Sequence, residues 1–142
     1  MKLRWKEPMT VWCRVEGSNG KIREFEAIID FNYHYCLMLR QDATDLGYSE
    51  ASYRHSGWHE LRPDRAPLVL TSRGIERTIL INLKEVSLGN LAAKNVGAVV
   101  LEYDLPPMVP VDMILGQTFL KNFKLKVDPK SCTLNLSRRW IW

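Results

Sequence analysis

Apolar and polar residues alternate with period two along much of this chain, in short runs interrupted by turn residues, and that pattern leaves few folds open. Met9, Val11, Cys13 and Val15 alternate with Thr10, Trp12, Arg14 and Glu16. Gly17-Ser18-Asn19-Gly20 supplies turn chemistry, and Phe25, Ala27 and Ile29 then alternate with Glu24 and Glu26. One buried position in every two is a half-covered strand, and two such runs around a Gly/Asn turn are a hairpin. A second hairpin is expected from Leu68-Val69-Leu70-Thr71 through a tight turn at Ser72-Arg73-Gly74 to Ile79, Ile81 and Leu83. Gly89-Asn90 turns the chain again before Val96, Ala98 and Val100, and Phe123, Leu125 and Val127 precede a Pro129-Lys130 turn and a last strand through Cys132, Leu134 and Leu136. The sum is about seven or eight short strands, the spacing of a small barrel or sandwich. Helix is confined to Arg40–Leu46, with Gly47 as its C-terminal cap, and to Gln117–Asn122. Residues 48–66 hold no period and are expected to form a long loop.

Composition narrows the classes of function. With 142 residues, 46% hydrophobic and 25% charged, the chain can bury one substantial core, and a single domain over 1–142 is expected. No apolar run approaches the span of a membrane helix, and Met1-Lys2-Leu3-Arg4-Trp5-Lys6 leads into Glu7 and Pro8 instead of a signal-peptide core, so neither a membrane partner nor secretion is expected. The 20 basic residues against 16 acidic ones give only +4, scattered along the chain, which does not make a nucleic-acid footprint. Cys13, Cys36 and Cys132 are too far apart for a C-x-x-C motif and read as reduced core residues of a cytoplasmic protein. His55 and His59 lie four apart, but Gly57 between them argues against a helix that would aim both at one metal. No metal or cofactor is expected, and the nucleophile, phosphate-loop, zinc and dinucleotide templates are all missing.

What remains is Asp30, at the end of the apolar run Ile28-Ile29, and far downstream Ile114-Leu115-Gly116 before a short helix. Alone, an Asp ending a strand often does no more than bond its own turn.

Together with the rest of the order, these pieces resemble the retropepsin-like aspartic proteases, half-size homodimeric relatives of pepsin, from about Met9 to Leu136. The features are the hairpin leading to Ile28-Ile29-Asp30, a polar helical stretch ending in Leu46-Gly47, and a hairpin tipped by Thr71-Ser72-Arg73-Gly74. Then follow Leu88-Gly89-Asn90, Asn95-Val96-Gly97-Ala98-Val99-Val100, and Asp112-Met113-Ile114-Leu115-Gly116-Gln117-Thr118-Phe119-Leu120. The resemblance implies an all-β fold, a small closed acid-protease barrel with a flap hairpin and one or two short helices. It also implies a homodimer in which the two Asp30 carboxylates share a proton across the axis, one serving as base toward water and the other as acid toward a scissile carbonyl. An extended polypeptide would lie in the cleft, bonded by the flap and the loop after the Asp, so that Phe31, Asn32, Thr71, Ser72, Arg73 and Gly74 contact it. Gly116 would stand where two backbones pass too closely for a Cβ.

The chain departs from the usual Asp-Thr-Gly or Asp-Ser-Gly triplet, having Asp30-Phe31-Asn32. Phe31 lacks the hydroxyl that bonds across the dimer axis, Asn32 stands where glycine permits a left-handed backbone, and Tyr33 replaces a small residue. An aspartic endopeptidase is therefore the first functional expectation. A catalytically inactive dimeric module holding peptide or protein in the same cleft is the alternative.

Overall fold

The computed structural model describes residues 2–4, 10–48, 68–71, 74–101, 105, 111–131 and 133–139. In chain order they form β1 (Lys2–Arg4), β2 (Thr10–Glu16), β3 (Ile22–Ile29), β4 (Cys36–Leu39), α1 (Arg40–Asp45), β5 (Leu68–Thr71) and β6 (Gly74–Arg77). There follow β7 (Ile79–Leu88), β8 (Leu91–Leu101), β9 (Met113–Leu115), α2 (Gln117–Leu120), β10 (Phe123–Asp128) and β11 (Thr133–Arg138). The strands outnumber the expected seven or eight because β1 and β9 are too short to show alternation and because Thr78 divides one run into β6, the hairpin partner of β5, and β7, whose Ile79, Ile81 and Leu83 pair with β8 and not, as expected, with β5. The expected 48–66 loop, His55, His59, Ser72, Arg73 and Cys132 lie outside the described residues, apart from Tyr48.

Six strands close a barrel in the order β2-β3-β9-β4-β8-β7. The first hairpin pairs Thr10 with Ile28 and Glu16 with Ile22, which turns Val11, Cys13 and Val15 inward and Thr10, Trp12 and Arg14 out to solvent. Its turn packs on the end of α1, where a Cβ on Gly17 would collide with the Leu46 carbonyl oxygen. The helix stops as its sequence dictates. Gly47 takes φ +95°, its N–H bonds the Thr44 carbonyl at 3.0 Å, and the Tyr48 N–H bonds the Ala43 carbonyl at 2.9 Å. Those two bonds are a Schellman cap, which glycine makes without the strain a side chain would bring. The second helix is shorter than the expected Gln117–Asn122, because the Asn122 amide donates to the Thr118 and Phe119 carbonyls at 3.0 and 2.9 Å and satisfies the helix end.

The topological center is β9. It runs parallel to β3, pairing Ala27 with Met113 and Ile29 with Leu115, and antiparallel to β4, pairing Leu37 with Ile114. A distant segment is thereby inserted between two strands consecutive in sequence, and the chain from 30 to 35 must arch past its end. Both faces of this region are covered. Met38, Met113 and Leu115 join the barrel core with Phe25, Phe119 and Leu134, while Leu37, Val99, Leu101, Leu105 and Ile114 form a second cluster with Tyr33 and Tyr35 packed against it. Strands covered on both sides lose their alternation, which explains the unbroken Cys36-Leu37-Met38-Leu39 run. At about 1.5–3 kcal/mol for each fully buried large aliphatic side chain, the two clusters hold this wall firmly. The remaining strands form a β1-β11-β10 sheet and the separate β5–β6 hairpin.

Candidate active site

Asp30 follows β3 directly, and its N–H bonds the Leu115 carbonyl at 3.1 Å, so the β3–β9 pairing extends to the residue itself. Its half-buried carboxylate is held by a local bond: Oδ1 accepts the Asn32 N–H at 2.9 Å. The loop beyond is anchored by α2. The Gln117 and Thr118 N–H groups, unpaired within the helix, bond the Tyr33 and His34 carbonyls at 2.9 and 2.8 Å, and the Gln117 side chain donates to the Phe31 carbonyl at 3.0 Å. Gly116 sits beneath this arch. A Cβ there would fall on the Tyr35 carbonyl oxygen and 2.7 Å from that of Tyr33, which is why the chain needs glycine at this position.

Thr118 ties the same region to β8. Its buried hydroxyl donates to the Gly97 carbonyl at 2.6 Å and accepts the Cys36 N–H at 3.3 Å. Tyr33 lies between the second apolar cluster and Asp30; burial, and secondarily the Asp30 charge, pushes its phenol above the usual tyrosine range. The His34 and Tyr35 rings meet edge to face at 4.6 Å. The one sequence signal that Gln117 and Thr118 are positioning residues is their polarity between Gly116 and Phe119 in an otherwise apolar segment.

Asn32 corrects an expectation. Asn95, at φ +57°, is the one non-glycine residue with positive φ among the described residues, so Asn32 carries no left-handed backbone. The Asp30 carboxylate is bonded by the residue 32 N–H in an ordinary conformation, and asparagine costs nothing there. Phe31 remains 37% exposed on the Asp30 loop. Phe31 and Asn32 are thus next to Asp30, whereas Thr71 and Gly74 face each other across the β5–β6 hairpin, Gly74 at φ +98°.

An inserted β9 between the strands flanking an Asp loop, within a six-strand barrel, can be matched against solved structures. A retropepsin-like aspartic protease from Rickettsia conorii superposes with a TM-score of 0.62 at 20% identity, over 96% of this chain and 88% of that one. The fold is retropepsin-like. The retroviral protease-like domain of Ddi1 from Leishmania major gives a TM-score of 0.51 at 18% identity, over 89% of this chain and 86% of the other. No family model matches the sequence, and no curated protein matches it. In this retropepsin-like barrel no group of three or more His, Cys, Asp or Glu among the described residues is arranged to hold a metal, and no described helix is long and apolar enough to cross a membrane.

Proposed function

We propose that this chain is a single retropepsin-like domain acting as a cytoplasmic homodimeric aspartic endopeptidase. The observation that carries this reading is the loop that bears Asp30, pinned from below by Gly116 and α2 and joined to β9 through the bond from the Asp30 N–H to the Leu115 carbonyl. A loop backbone held by bonds to distant elements sets the place of the carboxylate before substrate arrives, as catalysis by paired carboxylates requires. In the dimer one Asp30 takes a proton from water as the oxygen attacks the scissile carbonyl, and its partner protonates the carbonyl oxygen. Collapse of the tetrahedral species breaks the C–N bond and passes a proton to the departing amine. The β5–β6 hairpin serves as the flap, with Thr71, Ser72, Arg73 and Gly74 bonding an extended substrate together with Phe31 and Asn32.

One observation favors the second reading, a catalytically silent module that binds peptide or protein in the same cleft. Phe31 presents an exposed ring where a hydroxyl would brace the dimer loops. The test is cleavage of an unfolded polypeptide from acidic to neutral pH, beside Asp30→Asn. Cleavage lost in the variant supports the protease. No cleavage by either protein, with a peptide that still binds both, supports the module.

A further inference from the structure

The barrel closes incompletely at one seam. β2 pairs with β7 only from Arg14 to Glu16, against Ser87 to Glu85, after which β7 reaches Leu88 and turns away at Gly89-Asn90. Residues 10–13 of β2 are paired with β3 on one side, and among the described residues no strand pairs with their other edge. A cavity of about 240 Å³ opens at this point, lined by Trp12, Cys13, Arg14, Glu24, Ser87 and Gly89. The Cys13 side chain is directed into the core at 2% exposure, so Cys13 borders the cavity chiefly through its backbone, on the open strand edge.

Two features define what would fit. Trp12 is 64% exposed, an unusual outlay of apolar surface for a single chain, and it is the register partner of Glu26 across the hairpin. Charge nearby is unbalanced. Glu24 meets Arg14 at 3.4 Å in an exposed pair; the Asp112 carboxylate accepts the Glu26 N–H and the Asp112 N–H donates to the Glu26 backbone carbonyl, and neither the Glu26 nor the Asp112 carboxylate has a cationic partner among the described residues. An unpaired strand edge calls for an extended main chain, and an aromatic face beside surplus carboxylate calls for a cationic side chain. From this complementarity we propose that the β2 edge docks an extended peptide segment, added as a strand along 10–13, with an arginine or lysine laid across the Trp12 indole toward the Glu26 carboxylate. The seam is separate from the Asp30 loop and does not rest on the protease reading.

The experiment uses the full chain and a capped alternating valine–arginine pentapeptide, with its valine–glutamate counterpart as control, followed by two-dimensional NMR. Expected are a shift of the Trp12 indole N–H, slowed exchange of amides in 10–13, and affinity reduced about tenfold in Trp12→Ala and in Glu26→Gln. Binding should also weaken at about 1 M salt, where the screening length is about 3 Å. Asp30→Asn should bind unchanged, which separates this edge from the cleft. Equal binding of the acidic peptide, shifts confined to the Asp30 loop, or indole shifts that follow protein concentration without peptide would each overturn the proposal, the last by revealing a second copy as the occupant.

Discussion

Replacing Gly116 by alanine tests the close backbone approach beneath the Asp30 loop. The added Cβ meets the carbonyl oxygens of Tyr35 and Tyr33 and, at 2.8 Å, the Tyr35 carbonyl carbon. These are main-chain atoms, and no rotamer change can move them. Overpacking against a fixed wall costs about 1–3 kcal/mol. Displacing the arch also weakens the Gln117 and Thr118 bonds to the Tyr33 and His34 carbonyls, each worth about 1 kcal/mol net. The expected loss is about 3–5 kcal/mol, a large part of the roughly 5–15 kcal/mol that a domain commands. In urea, with a slope of about 2 kcal/mol/M, the midpoint should fall by roughly 2 M at constant slope. Gly97→Ala is the internal control. The atoms nearest its Cβ belong to side chains, Tyr35 Cδ1 at 3.3 Å and Thr118 Cγ2 at 3.4 Å, which can yield for about 1 kcal/mol or less. Equal losses in the two variants, or a Gly116→Ala loss under about 1 kcal/mol, would refute the close approach as the reason for glycine.

Three other outcomes follow. Phe31→Thr with Asn32→Gly removes a ring that is 37% exposed in the single chain; burial of that remainder in a dimer is worth about 1 kcal/mol for each of the two rings, so dimer Kd should rise about thirtyfold without a gain in turnover. Sedimentation and peptide cleavage on the same variant check it, and higher turnover with an unchanged dimer would instead mark a protease lacking its hydroxyl brace. Burial pushes the Cys13 thiol up to about 12 and raises that of Cys36 as well, so alkylation mapped by mass spectrometry at about pH 8 should spare both until the chain is unfolded. The Ser131 hydroxyl, with the Lys130 N–H, holds the Asp128 carboxyl below its usual range in the β10–β11 turn. Because the folded value lies below the unfolded one, this contribution is present above the unfolded carboxylate range and is lost as pH falls through the depressed folded value. Asp128→Asn should therefore flatten the acid limb of urea midpoint against pH.

The sequence by itself determined what depends on neighbors along the chain. The β2–β3 hairpin follows from alternation around a glycine-rich turn, the end of α1 from a glycine able to adopt φ +95°, and the place of Asp30 from the apolar run it terminates. Each is set by bonds spanning a few residues, so the residue types announce it. Tertiary structure decided the rest. Met113-Ile114-Leu115 shows no period because both its faces are covered, and nothing local says that it enters between β3 and β4. Thr118 became the link among Cys36, Gly97 and α2 only once strands far apart in sequence met. Asn32, whose residue type pointed to a left-handed backbone, took an ordinary one because its N–H reaches the Asp30 carboxylate without it. Among the described residues no strand covers the β2 edge at 10–13 because β7 turns away at Gly89, a consequence of where two strands part company that neither strand's own residues encode.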